Sequence, residues 1–291
     1  MIITGDDEEE IENLKKSLFQ EFEMKDLGAM KYFLGIEILR SKNGIFLRQK
    51  KYVLDLLAET GLLECKPAET PIILNHGLKI EEGGKLADRG RYQRLVGKLI
   101  YLAHTRPDIA YAVGVVSQFM HQPQENHMEA ALRIVRYLKG TAGYGVLLEK
   151  KEHLEIDGYT DADWASNPND RRSTAGYFTF LGGNLVTWRS KKQKVVALSS
   201  AEAEFRGVKS GITEILWLRR LLSEIGFPPT QGSRLYCDNK AAISISENPL
   251  ADILTKAVNI KFFKEVLGKL NIGDAVAQLE GECQEGKYCR R

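Results

Sequence analysis

The stretch Tyr159-Thr160-Asp161-Ala162-Asp163-Trp164 decides how this chain is read. Leu154 and Ile156 lead into it, and the pair Arg171-Arg172 follows. Along a strand, Tyr159, Asp161 and Asp163 alternate onto one face. Two carboxylates at the end of a strand, read here over 154–161, have the chemistry of a metal or acid–base site. Asp161 lies nearer the strand and Asp163 nearer the loop, so Asp161 is the candidate. More carboxylates, a basic groove and a scaffold should then lie elsewhere in the chain.

Downstream, Ser173 to Leu181 reads as a second strand and Leu185 to Trp188 as a third, with Gly182-Gly183-Asn184 as the turn between them. Val195 to Leu198 leads into a helix that opens at Ser199, carries Glu202 three positions on, runs to about Glu224 and stops at Gly226. Three antiparallel strands followed by a long helix predict an α+β fold. Helical spacing separates two glutamates. Glu202 is followed along its face by Arg206 and Lys209, a solvent face, and is explained as the cap. Glu204 is followed by Val208, Ile212 and Ile215, a buried face. A carboxylate there is costly unless it meets a cation or another partner, which makes Glu204 the functional candidate. Asp238 ends a short strand, 234–237, before a helix, where an N-cap is an equal reading. Asp252 lies early in a helix, 250–258, and alone reads as structural.

Taken together, carboxylates from a strand, a long helix, a later strand end and a C-terminal helix could converge on one pocket. Such a cluster repels itself unless divalent cations neutralise it, and hard oxygen ligands favour Mg²⁺ or Mn²⁺. Two such ions can activate a water and stabilise a leaving oxygen in phosphodiester cleavage. The segment 187–194 supplies Trp188, Arg189, Lys191, Lys192 and Lys194, a set suited to a nucleic-acid backbone. A merely soluble hairpin edge is the other reading.

Upstream, Met1 to Thr4 reads as a strand, and Asp7 with Glu10 as the capping box of a helix carrying Ile11, Leu14, Leu18 and Phe22. Gly5-Asp6-Asp7 resembles a polymerase metal motif, but the cap explains it better. A hairpin over 30–47 turns at Lys42-Asn43-Gly44, and a helix over 52–59 closes at Gly61. Residues 75–90 read as a glycine-bearing flexible connector. Three helices follow: one from Tyr92 to Leu102, one from Pro107 to about Met120, and one from Asn126 to Gly140, capped by Asn126 with Glu129. Arg133, Arg136 and Lys139 on the last could meet phosphates or simply face solvent.

The 291 residues suffice for about two domains, and the net charge of +2 by itself argues for no partner. Cys65, Cys237, Cys283 and Cys289 form no CxxC pair and no ligand cluster, which argues for reduced thiols and against zinc. The acidic start is unlike a leader peptide, and no apolar run approaches membrane-span length. A soluble chain in the cytoplasm, or the nucleus, is expected.

At the quoted stretch the sequence closely resembles the copia-type retrotransposon Pol polyprotein. The matching runs are 159–165, Arg171-Arg-Ser-Thr-Ala-Gly-Tyr177, Phe180-Leu-Gly-Gly-Asn184, Ser190-Lys-Lys-Gln193, Ser199-Ser-Ala-Glu-Ala-Glu-Phe205, Trp217-Leu218, Cys237-Asp-Asn-Lys-Ala-Ala242 and Leu250-Ala-Asp-Ile-Leu-Thr-Lys256. They resemble that family's ribonuclease H domain, which cleaves RNA in RNA/DNA hybrids with two Mg²⁺. The resemblance implies catalytic, metal-binding roles for Asp161, Glu204, Asp238 and Asp252, and it alone promotes Asp252. It also implies the domains. Residues 1–75 would be a reverse-transcriptase palm remnant and the start of the thumb, 76–146 a helical thumb and connection region, 147–270 an incomplete ribonuclease H-like domain lacking its last strand, and 271–291 a disordered tail. RNA/DNA hybrid or other nucleic acid and further Pol fragments are the implied partners, with no membrane.

Two departures limit the expectation. The family's Tyr-Val-Asp-Asp polymerase motif precedes the Met-Ile-Ile-Thr-Gly stretch at which this sequence begins, so no DNA synthesis is expected. Between Pro249 and Leu250 the family carries a longer segment, absent here, that positions the last aspartate. Weak or no ribonuclease H activity is therefore expected. The alternative is a catalytically inactive domesticated or pseudogene product that at most binds nucleic acid.

Overall fold

The computed structural model describes residues 2–5 and 7–247. Among them, seven α-helices and two four-stranded sheets make a mixed α+β architecture. Residues 2–5 form no strand, contrary to the apolar reading of Met1 to Thr4, and Ile2 is exposed. Helix α1 (Glu8–Glu21) starts where Asp7 predicts, its carboxylate accepting from Glu10 N at 2.9 Å. It buries none of its residues.

The first sheet is antiparallel throughout. It orders β1 (Tyr32–Phe33), β2 (Ile36–Ser41), β3 (Gly44–Arg48) and β4 (Gly145–Glu149). The predicted hairpin is β2–β3, and β4 joins it from about a hundred residues away. Gly44 is required there, because a Cβ would sit 2.1 Å from the Leu148 carbonyl oxygen.

Between β3 and β4 the chain builds a helical core. It contains α2 (Lys50–Glu59), α3 (Arg89–Leu102), a 3-10 turn (Pro107–Ile109), α4 (Ala110–Ser117) and α5 (Glu125–Gly140). Val53, Leu56, Leu57, Tyr92, Leu99, Leu102, Val116, Ile134 and Leu138 are almost wholly buried together. Gly61 ends α2 with φ +70°, the left-handed geometry its position predicts. The cap of α5 is Gln124 with His127 rather than Asn126 with Glu129: the Gln124 side chain accepts from the backbone of His127, and His127 Nδ1 accepts from Gln124 N. The stretch 75–90 has little regular structure, yet it is tied down. Glu81 N donates to Gln124 Oε1, Ile80 N donates to Asn169 Oδ1, and Leu78 is buried.

The second sheet follows the order β7 (Asn184–Lys192), β6 (Thr174–Leu181), β5 (Ile156–Asp163) and β8 (Arg234–Tyr236). The first three strands are antiparallel neighbours, and β8 runs parallel to β5. Strand β5 continues through Asp163 rather than stopping at Asp161, because the ladder with β6 runs on to Asp163↔Thr174. Helix α6 (Ser200–Glu224) covers the face of β5 made by Ile156, Gly158, Thr160 and Ala162. Gly207 and Gly211 allow this close approach: a Cβ on Gly211 would lie 2.6 Å from Thr160 Cγ2. Ile215, Leu218 and Leu222 complete the buried face of α6, whereas Ile212, predicted inward, is 44% exposed. Its place on that face is taken by the buried Gly211.

The other face of this sheet meets α4. Gly114 lies against the Ser190 carbonyl, and Trp188 Nε1 donates to Ala103 O at 2.9 Å. No helix among the described residues is long and apolar enough to cross a membrane. Residues from Asn239 onward form a separate unit, of which α7 (Lys240–Glu247) is described. Asp252, expected from the sequence as a site residue, and the expected domain and tail boundaries beyond 247 lie outside the described residues.

Candidate functional site

Alternation along β5 puts Tyr159, Asp161 and Asp163 on its exposed side and Thr160 and Ala162 on its buried side. Glu204 arrives from the first turns of α6. That helix starts where Ser199 Oγ accepts from Glu202 N. Glu202 itself accepts from Leu198 N and pairs with Arg206, so its carboxylate is spent on the helix start. Glu204, two residues on, is only 6% exposed. Its Oε1 accepts from Ala162 N at 3.1 Å, and Cys237 Sγ donates to its Oε2 at 3.8 Å.

Asp238 follows β8, whose parallel pairing with β5 carries the chain end toward Asp161. Its N-cap reading has a competitor in the structure: Asn239 Oδ1 accepts from Ala242 N at 2.9 Å and caps α7. The ligand atoms of Glu204, Cys237 and Asp238 lie within 4.8 Å of one another. Burial pushes the Glu204 carboxyl above the ordinary carboxylate range, and the negative charges of Asp161 and Asp238 push it the same way. The Ala162 N–H and the Cys237 thiol oppose the shift without cancelling it. A buried carboxylate crowded by two others is the donor chemistry that hard divalent cations satisfy. Cys237 is the residue that sequence spacing missed. Its only signal was adjacency to Asp238, because the cysteines show no ligand spacing between themselves.

The five predicted nucleic-acid residues divide between the two faces of β7. Arg189 pairs in register with the buried Tyr177, whose hydroxyl bonds Glu214 of α6, so Arg189 projects on the α6 side. Lys191 alternates to the same side. Trp188 and Lys192 face the other way. Trp188 is held by Ala103, and Lys192 Nζ is bonded to Asp170 at 2.9 Å. Lys194 lies just past the strand and is exposed.

Comparison with known proteins places the chain in a family. The chain is 44% identical over 262 residues to the Retrovirus-related Pol polyprotein from transposon RE1 of Arabidopsis thaliana, covering 90% of this chain and 18% of that protein. It is 39% identical over 217 residues to an uncharacterized mitochondrial protein of Arabidopsis thaliana, covering 75% of this chain and 90% of that protein. The chain belongs to the copia-type retrotransposon Pol family. A third Pol relative, from transposon TNT 1-94 of Nicotiana tabacum, is 38% identical over 273 residues, covering 90% of this chain and 20% of that polyprotein. This Pol-derived chain thus spans about a fifth of the length of the polyproteins it matches. Residues 1–74 match the family described as reverse transcriptase (RNA-dependent DNA polymerase). No solved structure matches the chain.

Proposed function

We propose that the second sheet and α6 form a ribonuclease H-like unit whose reaction is metal-dependent hydrolysis of the RNA strand of RNA/DNA hybrids. The observation that carries this reading is the gathering of Glu204, Cys237 and Asp238 at one end of the sheet, with the Glu204 carboxyl pushed up by its burial and further by the charges of Asp161 and Asp238. The donor set fits Mg²⁺ or Mn²⁺, which Asp161, Glu204 and Asp238 would hold; Asp252 is proposed as a fourth ligand from sequence resemblance. Bound there, such ions supply an activated water and stabilisation of the leaving oxygen. The chain's own residues hold the carboxylates in place: Ala162 N–H fixes one oxygen of Glu204, and the Cys237 thiol bonds the other. The exposed cations Arg189, Lys191 and Lys194 are proposed to meet the hybrid's backbone.

Residues 1–75 are read as a palm remnant with the start of a thumb, 76–146 as a helical connection, and 147–270 as the ribonuclease H-like region. Strand β4, at the junction, stays with the first sheet. Polymerase activity is not part of the proposal, and a cytoplasmic or nuclear setting is.

The test is Mg²⁺-dependent cleavage of a labelled RNA/DNA hybrid by wild type and Asp161→Asn. Cleavage by wild type alone supports the proposal. Cleavage that survives Asp161→Asn overturns the site. Hybrid binding that weakens steeply with salt but never leads to cutting favours the second reading, an inactive nucleic-acid-binding product.

A further inference from the structure

Two histidines that hydrolysis does not use converge on residues 78 and 79. His127, in the first turn of α5, is wholly buried and stacked on Phe119, with ring centroids 3.7 Å apart. Both of its ring nitrogens are engaged. Nδ1 accepts from Gln124 N at 3.0 Å, and Nε2 lies 2.9 Å from the Lys79 carbonyl oxygen. A carbonyl oxygen only accepts, so the proton is on Nε2 and the ring is neutral. His76 uses its ring in the same way, Nδ1 accepting from Leu78 N at 3.1 Å. Leu78 itself is buried in the helical core.

The rest of the segment 75–87 is fastened around the same corner. The Gln124 amide accepts from Glu81 N at 3.0 Å and donates to Glu81 O at 2.7 Å. Glu125 N donates to Lys85 O, and Ala87 N donates to Pro123 O. One residue past Lys79, Ile80 N donates to Asn169 Oδ1 in the turn between β5 and β6. That turn also reaches the end of α4, where Asn167 Nδ2 donates to Gln118 Oε1. The segment is therefore a strap between the helical layer and the second sheet, held at His76 and His127.

A proton on Nδ1 turns an acceptor into a donor that faces an N–H. At His127 this breaks the bond to Gln124 N and sets two donors against each other where water does not reach. At His76 it breaks the bond to Leu78 N. Glu81 on the strap and the Lys79 carbonyl favour the His127 cation, and Phe119, just after α4, presents a ring without charge. Glu125 and Glu129 of α5, and Lys79 and Lys85 of the strap, are exposed. Burial outweighs the groups that favour the cation and holds His127 below the ordinary histidine value of 6.5; burial holds His76 below it as well. The unfolded chain thus takes up these protons first. The stability that the neutral rings contribute is fully present above 6.5 and is lost as pH falls from there through the folded values.

We propose that His76 and His127 form an acid-sensitive latch on the 75–87 strap, and that protonating them releases the strap from the helical layer and loosens its tie to the second sheet. The latch is independent of the hydrolytic reading.

The test is hydrogen–deuterium exchange of the full chain, expressed as protection relative to unfolded peptides at each pH. Between about pH 7.5 and about pH 5.5, protection of 75–87 in wild type should fall by about 10-fold per histidine, the most that a group of ordinary pKa 6.5 contributes one unit below that value. The helices α3 and α5 should keep their protection. The double variant His76→Asn with His127→Gln keeps both acceptors without a titrating ring, because Asn accepts from the N–H two residues on and Gln serves at the third position of a capping box. Its strap should stay protected at both pH values. A wild-type strap equally protected at both pH values overturns the proposal, and that comparison stands whether or not the variant folds. So does a loss shared equally by α3 and α5, which is unfolding of the whole layer. A folded double variant whose strap loosens with acid as wild type does assigns the effect to other groups and also overturns it.

Discussion

A carboxylate that is 6% exposed stays charged only at a cost, and Glu204 carries that cost beside two other carboxylates. Its carboxyl is held above the ordinary range, so the folded chain binds this proton more tightly than the unfolded chain. Stability linked to Glu204 is therefore fully present below the unfolded pKa, declines as pH rises through the window up to the folded pKa, and stays lower above it. Glu204→Gln removes the charge and keeps an oxygen for Ala162 N. It should raise the melting temperature at pH 7, with the gain shrinking at acid pH, while hybrid cleavage is lost by about 10²-fold or more. Melting curves at several pH values, beside the cleavage assay, read both effects. A variant no more stable than wild type at pH 7 would remove the account of Glu204 as a carboxylate made costly by burial and by its charged neighbours. The same residue shows what spacing can say. The contrast between Glu202 and Glu204 was legible because helical periodicity sorts faces. The exposure of Ile212 was not, because the surface that α6 meets is set by where β5 and β8 lie.

At the scale of elements, the approach of α6 to β5 depends on what is missing from Gly207 and Gly211. A Cβ on Gly211 would lie 2.6 Å from Thr160 Cγ2 and 3.0 Å from Leu235 Cδ1. Overpacking of that kind costs about 1–3 kcal/mol, against about 1 kcal/mol regained from better helix propensity. Gly211→Ala should therefore be neutral to destabilising by up to about 2 kcal/mol, and should displace Glu204 from Ala162 N. Denaturant titration measures the first effect. Cleavage per folded molecule, reduced well beyond any loss of fold, measures the second. The fold around these glycines was only partly readable. The three antiparallel strands and the long helix followed from alternation and a capping box, but β5 reached two residues further than its polar end suggested. Its ladder with β6, and not its own composition, keeps Ala162 and Asp163 in the strand.

At the scale of the whole unit up to Asp238, the helical layer and the second sheet are joined where α3 ends. Trp188 Nε1 reaches Ala103 O, Asn167 Nδ2 reaches Gln118 Oε1, and Gly114 lies against Ser190. Removing one such part-buried bond costs about 0.5–1.5 kcal/mol. Trp188→Phe should lose that much in urea unfolding and, by loosening the pocket that Tyr111 and Trp188 both line, make Tyr111 more accessible to quenchers. Unchanged stability and unchanged accessibility would remove this contact from the account of how the layers are joined.

The sequence by itself determined which side chains could serve a metal, which face of β5 and of α6 carries them, and where α6 begins. These are local properties, written in periods of two and of 3.6 residues and in the cap at Ser199. Only the tertiary structure decided that β8 lies parallel beside β5, that Cys237 and Asp238 thereby reach Glu204, and that β4 belongs to the first sheet. It also decided that the basic residues of β7 divide between two faces. Register between distant strands is fixed by the summed packing of whole faces. No single stretch of sequence contains that sum.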